Sequence, residues 1–360
     1  MIINNLNYLI KNLYKYNITN NINYMNNSSL IDAAILVNIN TLNKSNIDDF
    51  SKNIAKIVSY DYNIVLERVK NILNYRIQLE ELQKIPFIQQ RTQEWLELRK
   101  NRLTASDLYD AIKGGSTSLN LAKKKANIII DNVNYNNIPA LKWGTMFEPM
   151  ASRCYSQANN NIKIYDFGLI CDPTNQHFGA SPDGINELGI MIEIKCPYSR
   201  KIIDDNIPVK YQIQIQGQLA VCRLNECDYI ECEFKTFSDE NEYLLNISKD
   251  AVINHGIIAE YIDNNKQFYY LYSNPDKSPS DTLKDIKEQI KNNTMDNIEF
   301  LKFNYWKLEK INVQKVYFKE EEWKAIIPKI DDFWKKVEEC RLLPPEVKAT
   351  KKIQFIDDTD

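Results

Sequence analysis

Apolar residues recur every three to four positions through the first part of the chain, which is the spacing of a helix with one buried face. Two such runs extend from Ile47 to Val58 and from Val65 to Ile77. Pro86 then interrupts the pattern, and the character of the chain changes. We therefore predict a helical N-terminal extension over residues 1–85, a second unit over residues 86–345 and a frayed tail over residues 346–360.

Further helices are predicted in the next part of the chain. Thr92 precedes an apolar-periodic run to Arg99 and is the type of residue that caps a helix N-terminus. A second helix should begin near Thr104–Ser106 and end at Gly114–Gly115, and a long one should cover residues 141–158.

From Ile162 the apolar period changes to two, which predicts β-strands. The predicted elements are strands at Ile162–Cys171, Phe178–Ile185 and Ile190–Cys196, a helix at Val209–Arg223, a strand at Asp228–Thr236, a helix near 283–301, a strand at Tyr305–Lys319 and a final helix at Glu320–Leu343. Helices before, between and after the strands predict an α/β fold in which a mixed sheet is flanked by helices.

The charge and His content argue against some classes of protein. The chain has 360 residues, with 45 Lys and Arg against 48 Asp and Glu, a formal net charge of −3, and two His. This balance does not support a uniformly basic DNA-coating protein, and two His leave little room for a polyhistidine zinc site or a Ser-His relay. The N-terminus lacks a basic segment with a cleavage site, and the apolar runs are too short for a bilayer. We therefore expect an intracellular protein that is not secreted and has no membrane partner.

The seven Cys residues are odd in number and include no C-x-x-C pair, which favours free thiols in a reducing compartment. Cys222, Cys227 and Cys232 lie five positions apart. Iron–sulfur clusters usually draw on more closely spaced ligands, so this spacing disfavours a cluster. We expect instead buried thiols on a helix and on the strand that follows it.

Two carboxylates and an ammonium group are predicted to meet at one end of a strand pair. Side chains alternate along a strand, so Glu193 and Lys195 project to one side while Ile194 faces the core. The Ser181–Gly184 turn would bring Asp183 beside Glu193. Like charges held together on buried strands are costly without a cation, and carboxylate oxygens suit Mg²⁺ or Mn²⁺.

A carboxylate-x-Lys triplet alone has little specificity, because a solvated strand or helix face produces it equally well. The chain contains the same triplet at Glu233–Lys235, Asp285–Lys287 and Glu322–Lys324. Glu193 and Lys195 differ by their context, an apolar strand preceded by a Pro-Asp-Gly turn and closed by Cys196-Pro197. Glu233, on a strand without such a turn, is the natural control residue.

Two helices contribute further polar side chains. Glu148 lies on a helix that is otherwise rich in aromatic residues, and Gln214 and Gln218 share a helix face at i, i+4. A surface carboxylate and a solvated polar face remain equally good explanations of these residues when each is taken alone.

These segments together form an ordered set of motifs over roughly Arg91–Gln218. The motifs are R-T-x-E-W-L-x-L-R, T-A-S, W-G-x-x-F-E, S-P-D-G, E-I-K-C-P and Y-x-x-Q. The set resembles the YqaJ and phage lambda-type alkaline exonucleases of the PD-(D/E)XK nuclease superfamily. The resemblance implies that the protein is a viral member of that family. The resemblance implies a restriction-endonuclease-like α/β core for the nuclease unit at residues 86–345. The extension over residues 1–85 has no counterpart in the compact phage enzymes. It could serve as a partner surface, a DNA clamp or a helical support.

The resemblance also implies roles for individual residues. Glu148, Asp183 and Glu193, with the Ile194 carbonyl, would hold one or two Mg²⁺ or Mn²⁺ ions. Lys195 would orient or activate the attacking water, and Gln214 would lie near that water or the scissile phosphate.

DNA is the partner that this family implies. Arg99 and Ser106 would bind a phosphate, including a terminal 5′-phosphate, and Arg102 and Tyr211 would also contact the DNA. Further basic residues would have to surround the groove, namely Lys100, Lys123–Lys125, Arg200, Lys201 and Lys210. For Lys123–Lys125, simple solvation of a helix is an equally good explanation.

The leading hypothesis is a divalent-metal-dependent deoxyribonuclease, an exonuclease on double-stranded DNA ends in recombination or viral DNA processing. A structure-specific or single-strand endonuclease with the same site remains an alternative. A non-catalytic DNA-binding adaptor is a third, which the complete set of Asp183, Glu193 and Lys195 argues against. The expected associations are a homo-oligomer and a recombinase or helicase partner, in the cytoplasm or viral factory of a host cell.

Overall fold

The computed structural model describes residues 27–89, 92–129, 138–292 and 298–345. The predicted tail at 346–360, the first 26 residues of the predicted extension and Arg91 lie outside the described residues. None of the helices within these ranges is long and apolar enough to cross a membrane.

Three helices come first along the described chain, α1 (Asn27–Asn38), α2 (Ile47–Val58) and α3 (Tyr62–Leu82). The Asp61 side chain caps α3 by accepting hydrogen bonds from the backbone N–H groups of Asn63 and Ile64 at 2.8 and 3.2 Å, which satisfies two donors that the first turn leaves free. The two apolar-periodic runs of the sequence therefore form the predicted helices.

The next helices precede the main sheet. They are α4 (Gln93–Lys100), a 3₁₀ turn at Ala105–Asp107, α5 (Leu108–Lys113), α6 (Gly115–Lys125) and α7 (Pro139–Ala158). Thr92 caps α4, since its hydroxyl accepts a hydrogen bond from the Trp95 N–H at 3.3 Å, as the sequence predicts.

The strands of the described ranges form two sheets. They are β1 (Leu103–Thr104), β2 (Ile164–Tyr165), β3 (Ile170–Cys171), β4 (Phe178–Ala180), β5 (Gly184–Asn186), β6 (Met191–Lys195), β7 (Glu226–Phe237), β8 (His255–Asp263), β9 (Phe268–Tyr272) and β10 (Ile298–Tyr317). The small sheet has the order β1-β4-β3, and the large sheet has the order β2-β5-β6-β7-β10-β8-β9.

The large sheet is mixed. β6 and β7 are parallel and are joined through α8 (Val209–Cys222), whereas the other neighbouring strands are antiparallel. The remaining helices are α9 (Glu240–Asn246), α10 (Pro279–Asn292) and α11 (Glu320–Arg341). The predicted α/β class, a mixed sheet flanked by helices, is therefore confirmed.

Two predicted strands are wrong as continuous elements. The run Phe178–Ile185 divides at Ser181–Asp183 into β4 and β5, which belong to different sheets, because Pro182 lacks the N–H that a ladder needs. The run Ile162–Cys171 divides into β2 and β3 around Gly168, where a side chain would collide with the backbone of Ile88.

The predicted helix near 283–301 is also wrong at its end. α10 ends at Asn292, and by Ile298 the chain is already in β10. The apolar residues at 298–303 pair with β8 in an antiparallel ladder, a long-range contact that overrides the local pattern.

The helices of the extension share a core with the main sheet. Ile54 and Val69 are buried in the same cluster as Phe147, Ile192 and Trp306. At Gly189, where φ is +78°, a Cβ atom would come within 2.6 Å of the Tyr75 backbone, so α3 lies directly against the turn before β6. The domain boundary at residue 85 stays a prediction. Wherever that boundary lies, residues of α1–α3 form part of the core cluster that they share with the sheet.

Candidate active site

The turn between β4 and β5 places Asp183 against the next strand. The backbone N–H of Ile194 donates to Asp183 Oδ2 at 2.7 Å, while Gly184 of β5 lies opposite Ile192 of β6. The pairing of β5 with β6 therefore brings the Asp183 carboxylate beside Glu193 and Lys195, as the strand alternation and the turn predict.

Glu193 lies at the centre of this group and is only 1% exposed. Its Oε1 accepts hydrogen bonds from Lys195 Nζ and from Gln214 Nε2, the latter at 2.6 Å. Its Oε2 accepts from Gln218 Nε2 at 2.7 Å. The two glutamines lie one helical turn apart on α8, so that helix clamps both oxygens of the carboxylate.

An open pocket of about 340 Å³ lies in front of this group. Its lining includes Glu148, Asp183, Ile194, Lys195, Arg200 and Tyr211. Glu148 reaches the pocket from α7, whereas Tyr211 belongs to the first turns of α8. Of the residues predicted for catalysis and metal binding, Glu148, Asp183, Ile194 and Lys195 line this pocket, while Glu193 and Gln214 are connected to Lys195 by hydrogen bonds.

The electrostatics of the group are dominated by burial and by mutual repulsion of carboxylates. Burial, with added repulsion from Glu193 and Glu148, raises the pKa of Asp183 well above its ordinary value. Burial alone would lower the pKa of Lys195, but the charges of Glu193 and Asp183 outweigh it and raise that pKa. In this arrangement Lys195 is a charged donor that is bonded to Glu193 Oε1.

The donor chemistry of the pocket suits a hard divalent cation. Asp183, Glu148 and the main chain of Ile194 supply oxygen atoms, and the raised pKa of Asp183 reports negative charge that a cation would relieve. Within the described ranges, His, Cys, Asp and Glu side chains form no group of three at metal-binding spacing. Glu193 accepts hydrogen bonds from three nitrogen donors, two at Oε1 and one at Oε2.

A second polar cluster surrounds Arg99. Its Nη2 donates to the Thr104 hydroxyl at 3.1 Å and to the Ser106 hydroxyl at 3.4 Å, and its guanidinium lies 4.2 Å from the centre of the Trp95 ring. Burial lowers the pKa of Arg99 only from an already very high ordinary value, so the group stays charged. The predicted pair of Arg99 and Ser106 is therefore in contact.

The other basic residues have diverse surroundings. Arg102 donates to the Leu98 carbonyl at 3.0 Å, and Lys100 pairs with Glu97 on an exposed helix face. Lys125 contacts the Arg99 cluster, with its Nζ 3.2 Å from the Arg99 carbonyl and 3.3 Å from Asp107. Lys210 lies 4.8 Å from the Tyr211 ring, and Lys201 is exposed.

Two contacts of the site lie beyond what the motifs indicate. Arg200 donates to Glu231, a fully buried carboxylate that lies opposite Lys195 in the register of β6 with β7. Trp95 forms the aromatic surface behind Arg99. A buried acidic residue within an apolar strand is the only signal that points to Glu231 from sequence. The control residue Glu233, two positions on, is exposed.

The three evenly spaced thiols do not face one point. Cys222, at the end of α8, and Cys227 lie in one core cluster, whereas Cys232 lies in the cluster on the other side of β7, because Cys227 and Cys232 are five apart on the same strand and point to opposite faces. Burial raises the pKa of Cys222 to about 12 and that of Cys227 and Cys232 well above the ordinary value.

Sequence comparison relates part of this chain to a known domain. Residues 94–225 match the family model of the YqaJ-like viral recombinase domain. An uncharacterized protein of Acanthamoeba polyphaga mimivirus is 23% identical over 320 residues, a match that covers 76% of this chain and 57% of that protein. The chain thus spans little more than half the length of this viral relative.

Two solved exonucleases share a limited likeness with the fold. The alkaline exonuclease LHK-Exo from Laribacter hongkongensis, also solved in complex with dAMP, is 19% identical with a TM-score of 0.42, over 69% of this chain and 93% of its own. A phage-related exonuclease from Haemophilus somnus is 13% identical with a TM-score of 0.37, over 66% of this chain and 94% of its own.

The family match contains every motif residue of the pocket, which confirms the resemblance drawn from the sequence. Over residues 94–225, this chain is similar to the YqaJ-like viral recombinase domain.

Proposed function

We propose that this protein is a divalent-metal-dependent nuclease that hydrolyses DNA phosphodiester bonds, and that it acts as an exonuclease on double-stranded ends. The observation that carries the proposal is that Asp183, Lys195 and Glu148 line one open pocket, with the buried Glu193 bonded to Lys195. The domain match over the same residues supports it.

A bound Mg²⁺ or Mn²⁺ would polarise the phosphate and lower the pKa of a water molecule. The protein's own residues would supply the rest of the chemistry. Asp183 and Glu148 would provide oxygen ligands at the pocket, and Lys195 would donate a hydrogen bond to an oxygen that becomes more negative as the bond breaks. Gln214 and Gln218 orient the Glu193 carboxylate through its two oxygens.

The first test is metal dependence on linear and closed circular DNA. We expect the protein to release nucleotides from an end-labelled linear duplex with Mg²⁺ or Mn²⁺ and to be inactive in EDTA, with activity restored by adding excess metal. Hydrolysis that persists in EDTA would overturn the metal assignment. Cutting of closed circles would favour the endonuclease alternative, and DNA binding without hydrolysis under any metal would favour the adaptor.

Arg99 provides a separate prediction about the end of the DNA. Arg99→Ala should remove any preference for 5′-phosphorylated over 5′-hydroxyl ends, because the guanidinium held beside Ser106 is the proposed hydrogen-bond donor to the terminal phosphate. The measurement compares initial rates on the two duplexes for wild type and variant. Lys100→Ala, which removes a neighbouring exposed cation, should keep the wild-type preference. An unchanged preference in Arg99→Ala would end this assignment.

The biological setting belongs to the same proposal. The viral relative and the viral recombinase domain support a role in viral DNA processing or recombination inside an infected cell. A homo-oligomer and a recombinase or helicase partner are the associations we expect there.

A further inference from the structure

The segment from Cys196 to Pro208, which links β6 to α8, forms one wall of the pocket and is here called the exit segment. It contributes Cys196, Pro197, Tyr198 and Arg200 to the pocket lining, directly after Lys195. Tyr198 is 56% exposed. An aromatic ring is thus presented to solvent in the same pocket as the candidate catalytic lysine.

The Tyr198 ring is supported from behind by other aromatic residues. Its centroid lies 5.6 Å from that of Trp143, at an interplanar angle of 68°. Trp143 in turn lies 4.4 Å from the buried Phe147, which stacks on Phe234 at 4.5 Å. This chain of contacts connects the exposed ring to the core of the sheet, so the ring is held in place and does not move freely with a loop.

Polar contacts fix the exit segment itself. Arg200 pairs with the buried Glu231, and Asp204 pairs with Lys310 of β10 at 2.7 Å. Gln212 of α8 donates to the Ile207 carbonyl at 2.7 Å. The backbone on the C-terminal side of Tyr198 is therefore attached to three elements, β7, β10 and α8.

An exposed but rigid aromatic ring beside a phosphodiester site is suited to stacking on a nucleobase. Every base has a flat face, so such stacking tolerates sequence variation, as a general nuclease requires. A ring fixed before binding also loses little entropy when a base packs on it.

We propose that Tyr198 is the base-stacking residue of this site and holds the base of a nucleotide adjacent to the phosphodiester bond at Lys195. The inference rests on the proposed nuclease function and adds the binding determinant for the nucleotide itself. Tyr198→Ala should weaken DNA binding about 5- to 150-fold, the range found for loss of one stacked base. Tyr198→Phe keeps the ring and should bind like the parent protein.

A double-mutant cycle tests stacking directly. The Glu193→Gln background is used so that bound DNA stays intact, and affinity is measured by fluorescence anisotropy with Mg²⁺ present. Duplexes with one abasic position, moved stepwise from the end, are compared with the intact duplex. We expect one position where loss of the base weakens binding to the Tyr198 protein but has no further effect on Tyr198→Ala.

The outcomes separate stacking from a merely structural role. If Tyr198→Ala weakens binding to every duplex by the same factor, or has no effect at all, the inference is overturned. Tyr317→Ala removes a tyrosine of similar exposure, 54%, from the end of β10 and should leave all affinities unchanged. A wild-type protein that hydrolyses DNA while the cycle shows no coupling would refute the stacking role alone. Absence of hydrolysis in the parallel metal assay would refute the proposed function instead.

Discussion

Glu193→Gln is expected to lower the rate of DNA hydrolysis by about 10³-fold at saturating Mg²⁺. The carboxylate is the charge partner of Lys195 and accepts from Gln214 and Gln218. An amide in its place removes one negative charge and sets its NH₂ group against at least one of these donors. The measurement is the initial rate on an end-labelled linear duplex, with circular dichroism to show that the variant is folded.

Glu233→Gln is the matched control for this substitution. Glu233 begins a second Glu-x-Lys triplet on the neighbouring strand β7, but its side chain is exposed. It should therefore retain the wild-type rate. Full activity in Glu193→Gln would remove Glu193 from the proposed mechanism, and an equal loss in both variants would show that the effect is not specific to the pocket.

Arg68→Ala is expected to lower the free energy of unfolding by about 3 kcal/mol, because it leaves buried carboxylates short of a partner. Arg68 of α3 binds Asp32 of α1 through two hydrogen bonds of 2.7 Å and also pairs with Glu226 of β7. Glu226 is 0% exposed. The value is at the lower end of the usual range because Lys315 still contacts Glu226 at 2.7 Å.

Urea unfolding at neutral pH measures this loss, and Lys52→Ala is its control. Lys52 pairs with Asp48 on the exposed surface of α2, where an ion pair contributes little, so its removal should leave the free energy of unfolding unchanged. Wild-type stability in Arg68→Ala would show that the buried pairs do not stabilise the contact between the extension and the sheet.

The ion pair between Arg68 and Glu226 also predicts how the free energy of unfolding changes with pH. Burial alone would raise the pKa of Glu226, but the Arg68 hydrogen bond and the Lys315 charge leave it below its ordinary value. A lowered folded-state pKa stabilises the protein above the unfolded-state pKa of about 4.3, and this contribution is lost as pH falls through the folded-state value. The difference in stability between wild type and Arg68→Ala should therefore shrink below about pH 4.

Local periodicity predicts the helices well because a helix is set by neighbours within one turn. The strands are harder to predict from the sequence, for two physical reasons. β8 is buried over His255–Tyr261 on both faces, so it lacks the alternation that marks a half-exposed strand. β4 and β5 are consecutive in sequence but pair with different partners, and such a choice depends on the whole sheet.

The candidate site divides in the same way. Asp183, Glu193 and Lys195 are predictable together because strand alternation and one short turn place them, all within 13 residues of chain. The pairing of Arg200 with Glu231 cannot be predicted in this way. It requires the register of β6 against β7, two strands that are separated by a helix in the sequence. The motifs name Gln214, but they do not show that Gln218 binds the other oxygen of Glu193.

The shared core of the extension and the sheet has a consequence for cooperativity. α7 carries Glu148 to the pocket and buries Phe147 in the core cluster that also contains residues of α1–α3. Elements that bury the same apolar side chains open together and not one at a time. We therefore expect amide hydrogens in α3 and in β6 to exchange through one common opening event, so that the extension and the strand that carries Glu193 and Lys195 form a single folding unit.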